Sequence, residues 1–127
     1  TLRPLTHLPR RLEYIFNAAK TISAGSVIVL TSANLGTIPF FRFPLSRYFE
    51  RRTRKIRDIF LQMSEKTDVV YVDLFEEAGS DPSNSSPRLL FAADHIHPNG
   101  VGYGIWYAKL QKALEKHHFK EMLKHTT

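Results

Sequence analysis

The stretch SVIVLTS, residues 26–32, is short, continuous and rich in β-branched side chains. A run of this kind is typical of a strand that is covered on both faces, as in a parallel sheet. A second run of the same type, DVVYVDLF at residues 68–75, predicts a second buried strand. The other predicted elements are placed relative to these two strands.

A helix is predicted before the first strand, over residues 6–24. Thr6 is the expected N-cap, Pro9 fits the first turn, and Gly25 is the expected stop signal. Apolar residues recur at three- and four-residue spacing and form one face. The members of this face are Leu8, Leu12, Ile15, Phe16, Ala19 and Ile22.

Two more helices are predicted after the first strand. One covers about residues 47–66, with Ser46 as its expected N-cap and an apolar face of Phe49, Thr53, Ile56, Phe60 and Met63. The other runs from about Asn99 to Lys116, with Asn99 as its cap. Its residues expected to face inward are Tyr103, Trp106, Tyr107, Leu110, Ala113 and Leu114.

The order helix, strand, helix, strand, loop, helix favours an α/β fold, with a parallel sheet and helices on both faces. Two strands that are both covered on each face need further neighbours. We therefore expect a single domain whose sheet is incomplete within residues 1–127. An apolar sheet edge would then be exposed unless another segment covers it. Residues 1–5 and 117–127 are expected to be peripheral.

Composition excludes several classes of protein. The chain has 127 residues, 43% of them apolar, which suits a globular core. It has no cysteine, so disulfides, thiolate catalysis and cysteine-based zinc sites are excluded. No apolar run is long enough for a membrane span, and no signal peptide is visible. The compartment stays undetermined.

The formal net charge of +6 leaves two interpretations of the segment RRTRKIR, residues 51–57. A non-catalytic module could bind an anionic partner through the Arg47–Arg57 helix face. The other interpretation, which we favour, is the solvated face of an amphipathic helix. No nucleic-acid recognition motif and no glycine-rich phosphate loop accompanies the segment, so we expect no nucleic-acid partner.

The run AADHIHPNGVGYGIW, residues 92–106, carries the candidate chemistry. Asp94 and His97 are separated by two residues, so one tight turn can bring their side chains together. A histidine suits general-base chemistry near neutral pH, and a carboxylate can fix its tautomer. Gly100, Gly102 and Gly104 are expected to allow close backbone approach.

The residues alone leave two other interpretations of this run open. Asp94, His95 and His97 could share a metal ion, because alternate residues of an extended segment point the same way. The third and fourth ligands that zinc needs are not evident, so we expect no metal. The run could also be an ordinary loop that leads into a helix.

The stretch DHIHPNGVGY, residues 94–103, resembles the last motif block of the SGNH, or GDSL-type, hydrolases. That block reads Asp-x-x-His-Pro, followed by a Gly and often a Tyr in the next helix. The order of elements upstream is similar as well, so the resemblance covers about residues 3–115. It implies a three-layer α/β/α flavodoxin-like fold and an esterase or lipase activity without cofactor. In such a catalytic triad His97 would be the base and Asp94 its orienting acid.

The same resemblance implies that parts of the site lie elsewhere. The family's Gly-Asp-Ser block, its oxyanion glycine and its Gly-x-Asn-Asp block have no counterpart here. We therefore expect this chain to be the C-terminal part of such a hydrolase, with the serine on a missing N-terminal segment of the same domain. Ser32 and Ser46 lie in no Gly-x-Ser-x-Gly motif, so both are interpreted as structural.

The loop after the first strand is the expected substrate side, and the expected substrate is a small-molecule, lipid or sugar ester. Contacts are predicted for Asn34, Leu35, Phe40 and Phe41. The cluster FFRF, residues 40–43, has two interpretations of equal weight. It could form an apolar wall for an acyl group, or it could pack against the neighbouring helix.

Overall fold

The computed structural model describes residues 4–77 and 87–125. In this part the protein is a small, helix-rich α/β protein with three long helices and a two-stranded parallel sheet. The α/β class and the parallel sheet are therefore confirmed, and the flavodoxin-like architecture stays a prediction. The elements in chain order are α1 (Leu8–Ile22), β1 (Ile28–Leu30), a 3-10 turn (Leu35–Thr37), α2 (Leu45–Thr67), β2 (Val70–Val72), α3 (Pro87–Leu90) and α4 (Gly100–His125).

The sheet is short, and β1 is exposed on one side. β1 and β2 pair in parallel over three residues each, with Val29 opposite Tyr71. The prediction that β1 is buried on both faces is wrong, since Ile28 is 39% and Leu30 44% exposed. The described residues therefore cover that side of β1 only in part. By contrast Val72, which pairs with Leu30, is 2% exposed, and α4 packs against β2.

The apolar core lies on the other side of the sheet, beneath α1 and α2. Leu12 and Phe16 of α1 meet Met63 of α2, and the rings of Phe16 and Phe60 pack edge to face at 6.1 Å. The core therefore buries those parts of the predicted apolar faces of α1 and α2 that lie over the sheet. The side chains that complete it are Leu8, Val27, Val29, Ile59 and Val69.

Two of the predicted helix caps are wrong. The N-cap of α1 is His7 rather than Thr6, and the N-cap of α2 is Pro44 rather than Ser46. Neither makes a side-chain cap bond. Ser46 lies inside the first turn of α2, because the helix has already begun and the Ser46 N–H reaches the Arg42 carbonyl at 3.1 Å. Both helices are thus stabilised by packing rather than by capping.

The end of α1 also differs from its prediction. The helix ends at Ile22, and its C-cap Ser23 is in an extended conformation with its N–H bonded to the Ala19 carbonyl. Gly25 lies two residues further on and does not have a positive φ, so it is not the helix stop. The end of α2 uses Asp68 instead, in the left-handed region at φ 54°.

Some residues predicted to face inward are exposed. Ile15 and Ile22 of α1 and Tyr103 and Tyr107 of α4 all present most of their surface to solvent. A two-stranded sheet is too narrow to cover the full apolar face of each helix. α4 also continues past the predicted end near residue 116 and ends at His125.

The basic face of α2 is partly neutralised. Arg57 bonds to Asp73 at 2.6 Å, and Arg54 bonds to Glu77 and to Glu50. Both guanidinium groups lie over the ring of Phe75, at 5.1 Å and 5.6 Å. These contacts hold the segment after β2 against α2. The ion pairs with Glu77 and Asp73 raise the pKa of Arg54 and Arg57.

Across residues 4–77 and 87–125, no helix combines the length and the apolar character that crossing a bilayer requires.

Candidate active site

The loop between α3 and α4 folds back on itself. The N–H of Ala92 bonds to the His97 carbonyl at 2.8 Å, and the N–H of His95 bonds to the Ala92 carbonyl at 3.0 Å. Phe91 and Pro98 form an antiparallel bridge that closes the loop. His95 lies at its tip in the left-handed region, at φ 56°. The loop is therefore a compact turn with two paired sides.

This turn brings Asp94 and His97 together. Oδ2 of Asp94 lies 2.7 Å from Nδ1 of His97. The other oxygen, Oδ1, accepts the backbone N–H groups of Ile96 at 2.9 Å and of His97 at 3.0 Å. The prediction that one tight turn joins the two side chains is confirmed. Their catalytic role stays a prediction.

The carboxylate of Asp94 is stabilised in its ionised form. The hydrogen bond from His97, followed by the two backbone N–H groups, lowers the pKa of Asp94 well below its usual range. An ionised carboxylate only accepts hydrogen bonds, so Nδ1 of His97 must carry the proton. In neutral imidazole this leaves the lone pair on Nε2, the nitrogen that a general base uses.

His97 is open to an incoming group. Its side chain is 70% exposed, and that of Asp94 is 47% exposed. Within the described part of the chain, Nε2 of His97 makes no hydrogen bond. Asp94 therefore orients the imidazole of His97 through Nδ1, while Nε2 is accessible.

The start of α4 fixes the loop from the other side. Asn99 is confirmed as the cap: Oδ1 accepts the N–H groups of Val101 at 2.9 Å and Gly102 at 3.1 Å. Its Nδ2 donates to the carbonyls of Leu89 and Phe91. One side chain thus joins α3, the loop and α4.

Close approach is required at only one of the three glycines. A Cβ on Gly102 would lie 2.5 Å from the Leu90 carbonyl oxygen and 2.8 Å from Cβ of Pro98. Gly100 and Gly104 face open space, so the prediction of close approach is wrong for these two. Gly102 therefore lets α4 contact α3 and the loop directly.

A pocket of about 360 Å³ lies beside His97. It lies among the segments that follow the carboxyl ends of both strands, where open α/β sheets bind their ligands. Three parts of the chain form it: the segment after β1, the segment after β2, and the α3–α4 region. The lining residues include Ser32, Asn34, Leu35, Ile38, Leu74, Glu76, Leu90, Phe91, Ile96, His97, Tyr103, Ile105, Trp106 and Lys109.

Two of the four predicted substrate contacts lie at this pocket. Leu35 and Asn34 line it, but Asn34 is fully buried. The Oδ1 atom of Asn34 accepts the N–H of Gly36 at 2.9 Å, and Nδ2 donates to the Glu76 carbonyl at 3.0 Å. Asn34 thus ties the segment after β1 to the segment after β2. Substrate contact by Leu35 stays a prediction.

Phe40 and Phe41 do not line the pocket. The ring of Phe41 packs on Phe49 of α2, with 4.4 Å between centroids. Packing against the neighbouring helix is therefore confirmed for Phe41. Phe40 contacts Phe41 edge to face and is largely exposed.

Sequence reasoning missed much of the pocket wall on α4. Ile105, Trp106 and Lys109 line it, together with Gly102. These positions follow the three- and four-residue spacing of one helix face, and that periodicity was the available signal. It does not distinguish a pocket wall from a packed core. Lys109 forms an ion pair with Glu76, which joins α4 to the segment after β2.

The alternative chemistries at this site find little support in the geometry. Within residues 4–77 and 87–125, no group of three or more histidine, aspartate or glutamate side chains is arranged to hold a metal ion. Ser32 lines the same pocket as His97, whereas Ser46 lies in the first turn of α2. Ser32 follows β1 without the sharp strand-to-helix turn of a nucleophile elbow.

Comparison with protein-family models, with curated proteins and with solved structures finds no match for this chain.

Proposed function

We propose that this chain supplies the base and the orienting acid of a serine ester hydrolase that resembles the SGNH type. The observation that carries the proposal is the 2.7 Å contact between Oδ2 of Asp94 and Nδ1 of His97 beside an apolar pocket. The contact orients the imidazole and leaves Nε2 accessible. That is the arrangement a Ser-His-Asp triad requires of its last two members.

The reaction assigns one role to each group. Nε2 of His97 takes the proton of a serine hydroxyl as its oxygen attacks the ester carbonyl carbon. The tetrahedral intermediate then expels the alcohol, which takes that proton from the imidazolium, and an acyl-enzyme is left. Water next attacks the acyl-enzyme with His97 again as base, and the serine leaves with the proton. Asp94 stabilises the imidazolium in both halves.

The nucleophile and the oxyanion donors belong, in this proposal, to a segment outside these residues. The 127 residues contain no Gly-Asp-Ser and no Gly-x-Asn-Asp motif. Among the described residues β1 has one unpaired edge, where further strands could add, and its exposed Ile28 and Leu30 offer a place for a covering helix. A segment placed there would complete the three-layer flavodoxin-like fold. The proposed reaction needs no cofactor.

The test is His97→Ala in the complete natural protein that contains these residues. We expect kcat for p-nitrophenyl acetate to fall by about 10⁴-fold or more, since a triad without its base loses most of its function. A fluorophosphonate probe should label a serine of the unsubstituted protein and abolish its activity. Near-normal turnover in the variant would exclude the role given to His97.

His95→Asn is the matched control, because asparagine also adopts the left-handed backbone conformation that residue 95 has at φ 56°. It removes an exposed histidine from the same turn, two residues away, and leaves the Asp94 contacts in place. We expect turnover within about threefold of the unsubstituted protein, since surface substitutions seldom disturb a fold by more than a few tenths of a kcal/mol. An equal loss in both variants would mean that the turn, rather than the base, had been damaged.

The basic-module alternative is less well supported. Two of the cations that it needs, Arg54 and Arg57, are engaged with Glu77, Glu50 and Asp73. Their charge is therefore largely compensated within the protein.

A further inference from the structure

We propose that the pocket beside His97 holds the acyl part of the ester, and that it accepts an uncharged acyl chain of about eight carbons. This inference rests on the proposed function, since it names the substrate class of the same site. It also assigns Ile105 and Leu35 as residues that determine the acyl-chain length.

The lining of the pocket is mainly apolar. Its side chains come from all three segments that form it, so an inserted chain would be surrounded rather than laid on a flat surface. Burying each methylene of an acyl chain in such a site is favourable. The apolar lining residues are Leu35, Ile38, Leu74, Leu90, Phe91, Ile96, Ile105 and Trp106.

The part of the lining on α4 gives a measure of the length of the pocket. His97 lies three residues before Gly100, the first residue of α4, and the lining on this helix extends from Gly102 to Lys109. At 1.5 Å per residue these seven steps cover roughly 10 Å. With C–C bonds of about 1.5 Å in a zigzag, an extended chain of about eight carbons covers that distance.

The charges at the pocket favour an uncharged chain. Lys109 and Glu76 pair with each other, so neither offers an uncompensated charge to a ligand. A charged group on the chain would lose its hydration without gaining a partner. Asn34 holds the backbone carbonyl of Glu76, which fixes this wall to the segment after β1.

Binding can be measured in this chain without any catalysis. Trp106 is the single tryptophan of the sequence and lines the pocket, so its fluorescence reports on occupancy. The probes are the methyl esters of butanoic, hexanoic, octanoic, decanoic and dodecanoic acid. We expect Kd to fall about fourfold for each added methylene up to about eight carbons, and then to stop falling.

Substitutions on α4 test whether the pocket is the place of binding. Ile105→Phe should fill the pocket and weaken methyl octanoate by at least tenfold. The matched control is Val101→Phe, since Val101 is a β-branched residue exposed on the same helix and outside the lining. It should leave Kd unchanged. Circular dichroism verifies that each variant is folded.

A second substitution covers the case in which Ile105→Phe does not fold. Leu35→Ala enlarges the pocket from the opposite segment. It should move the chain length at which Kd stops falling to about ten carbons, at the cost of weaker octanoate binding. An unchanged length dependence in Leu35→Ala would overturn the assignment of this pocket.

The outcomes separate this inference from the proposed function. A Kd that does not depend on chain length, a Kd that keeps falling well beyond eight carbons, or equal binding in Ile105→Phe and Val101→Phe overturns the acyl pocket and leaves the His97 test intact. A Kd that falls up to about eight carbons and then stops falling, together with normal turnover in His97→Ala, supports the pocket and refutes the triad. Saturable binding of methyl butanoate as tight as that of methyl octanoate would also refute the inference.

Discussion

At the scale of single residues, Asp94 uses its two oxygens for different purposes. Oδ1 accepts two backbone N–H groups and so holds the turn, while Oδ2 holds the ring of His97. The position of the imidazole is thereby set by the same side chain that shapes the loop. Neither function can be removed without disturbing the other.

This double use predicts a pH dependence of stability. The pKa of folded Asp94 lies below the unfolded value of about 3.9. Its contribution is therefore present above about pH 4 and is lost as pH falls through the folded pKa. Asp94→Asn should unfold at a lower urea concentration than the unsubstituted chain at pH 7. The difference should shrink as the pH is lowered below 4.

Glu115→Gln is the control for this pH series, since Glu115 is an exposed acid on α4. Its urea midpoint should follow the unsubstituted chain at every pH. If Asp94→Asn behaved in the same way, the hydrogen bonds to Asp94 would contribute nothing to stability.

The residue pairs that could be predicted from sequence are the local ones. Asp94 and His97 are three positions apart, so turn geometry alone brings them together. Asn34 illustrates the opposite case. Its partner Glu76 lies 42 positions away, and no local pattern indicates that the Asn34 carboxamide is used inside the protein instead of on a substrate.

At the scale of secondary-structure elements, α4 depends on its first turn. Asn99 caps the helix and also donates to the carbonyls of Leu89 and Phe91. We expect Asn99→Ala to lower the free energy of unfolding by about 1–2 kcal/mol, from the lost cap and the unsatisfied carbonyls. Chemical denaturation of the two proteins measures the change.

Thr6→Ala is the matched control, because Thr6 looks like an N-cap in the sequence but makes no cap bond in the structure. It should change the free energy of unfolding by less than about 0.5 kcal/mol. A loss as large as that of Asn99→Ala would mean that Thr6 does cap α1.

Asn99 and Thr6 also show why the start of one helix could be predicted from its N-cap residue and the start of another could not. Ser, Thr and Asn all favour N-caps, so Thr6, Ser46 and Asn99 look alike in the sequence. Of the three, only Asn99 directly follows a compact turn, the one that contains Asp94 and His97, and this turn already fixes its backbone. The starts of α1 and α2 are decided by packing and by prolines, which the cap pattern does not reveal.

At the scale of the whole molecule, one side of β1 is only partly covered by the described residues. Ile28 and Leu30 are exposed there. Exposed apolar strands favour association with another chain. We therefore expect the isolated chain to self-associate in sedimentation velocity. The double variant Ile28→Lys and Leu30→Lys should associate at least about tenfold more weakly, since burying the exposed two-fifths of each side chain contributes roughly 0.6–1.2 kcal/mol.

Ile22→Lys controls for the added charge, since Ile22 is exposed at the end of α1 and away from the strand. It should leave the association unchanged. Equal weakening by both changes would point to net charge rather than to the open side of β1.

The alternation of elements was sufficient to predict the α/β class and the parallel pairing. It could not show which faces are covered, because cover depends on neighbours that a strand pattern does not specify. The continuous apolar run of β1 is typical of a doubly covered strand, yet one of its sides is exposed. The apolar run therefore indicates that β1 is suited to a position covered on both faces, although one face is partly exposed in this structure.

The turn around Asp94 has a consequence for the order of folding. All its bonds join residues between 89 and 102, so it has a very low contact order. Loops of this size close in about 10–100 ns, much faster than strands that are distant in sequence can pair. Asp94 and His97 would then be in contact early. Under the proposed function, activity would appear only once the segment that carries the serine has joined this turn.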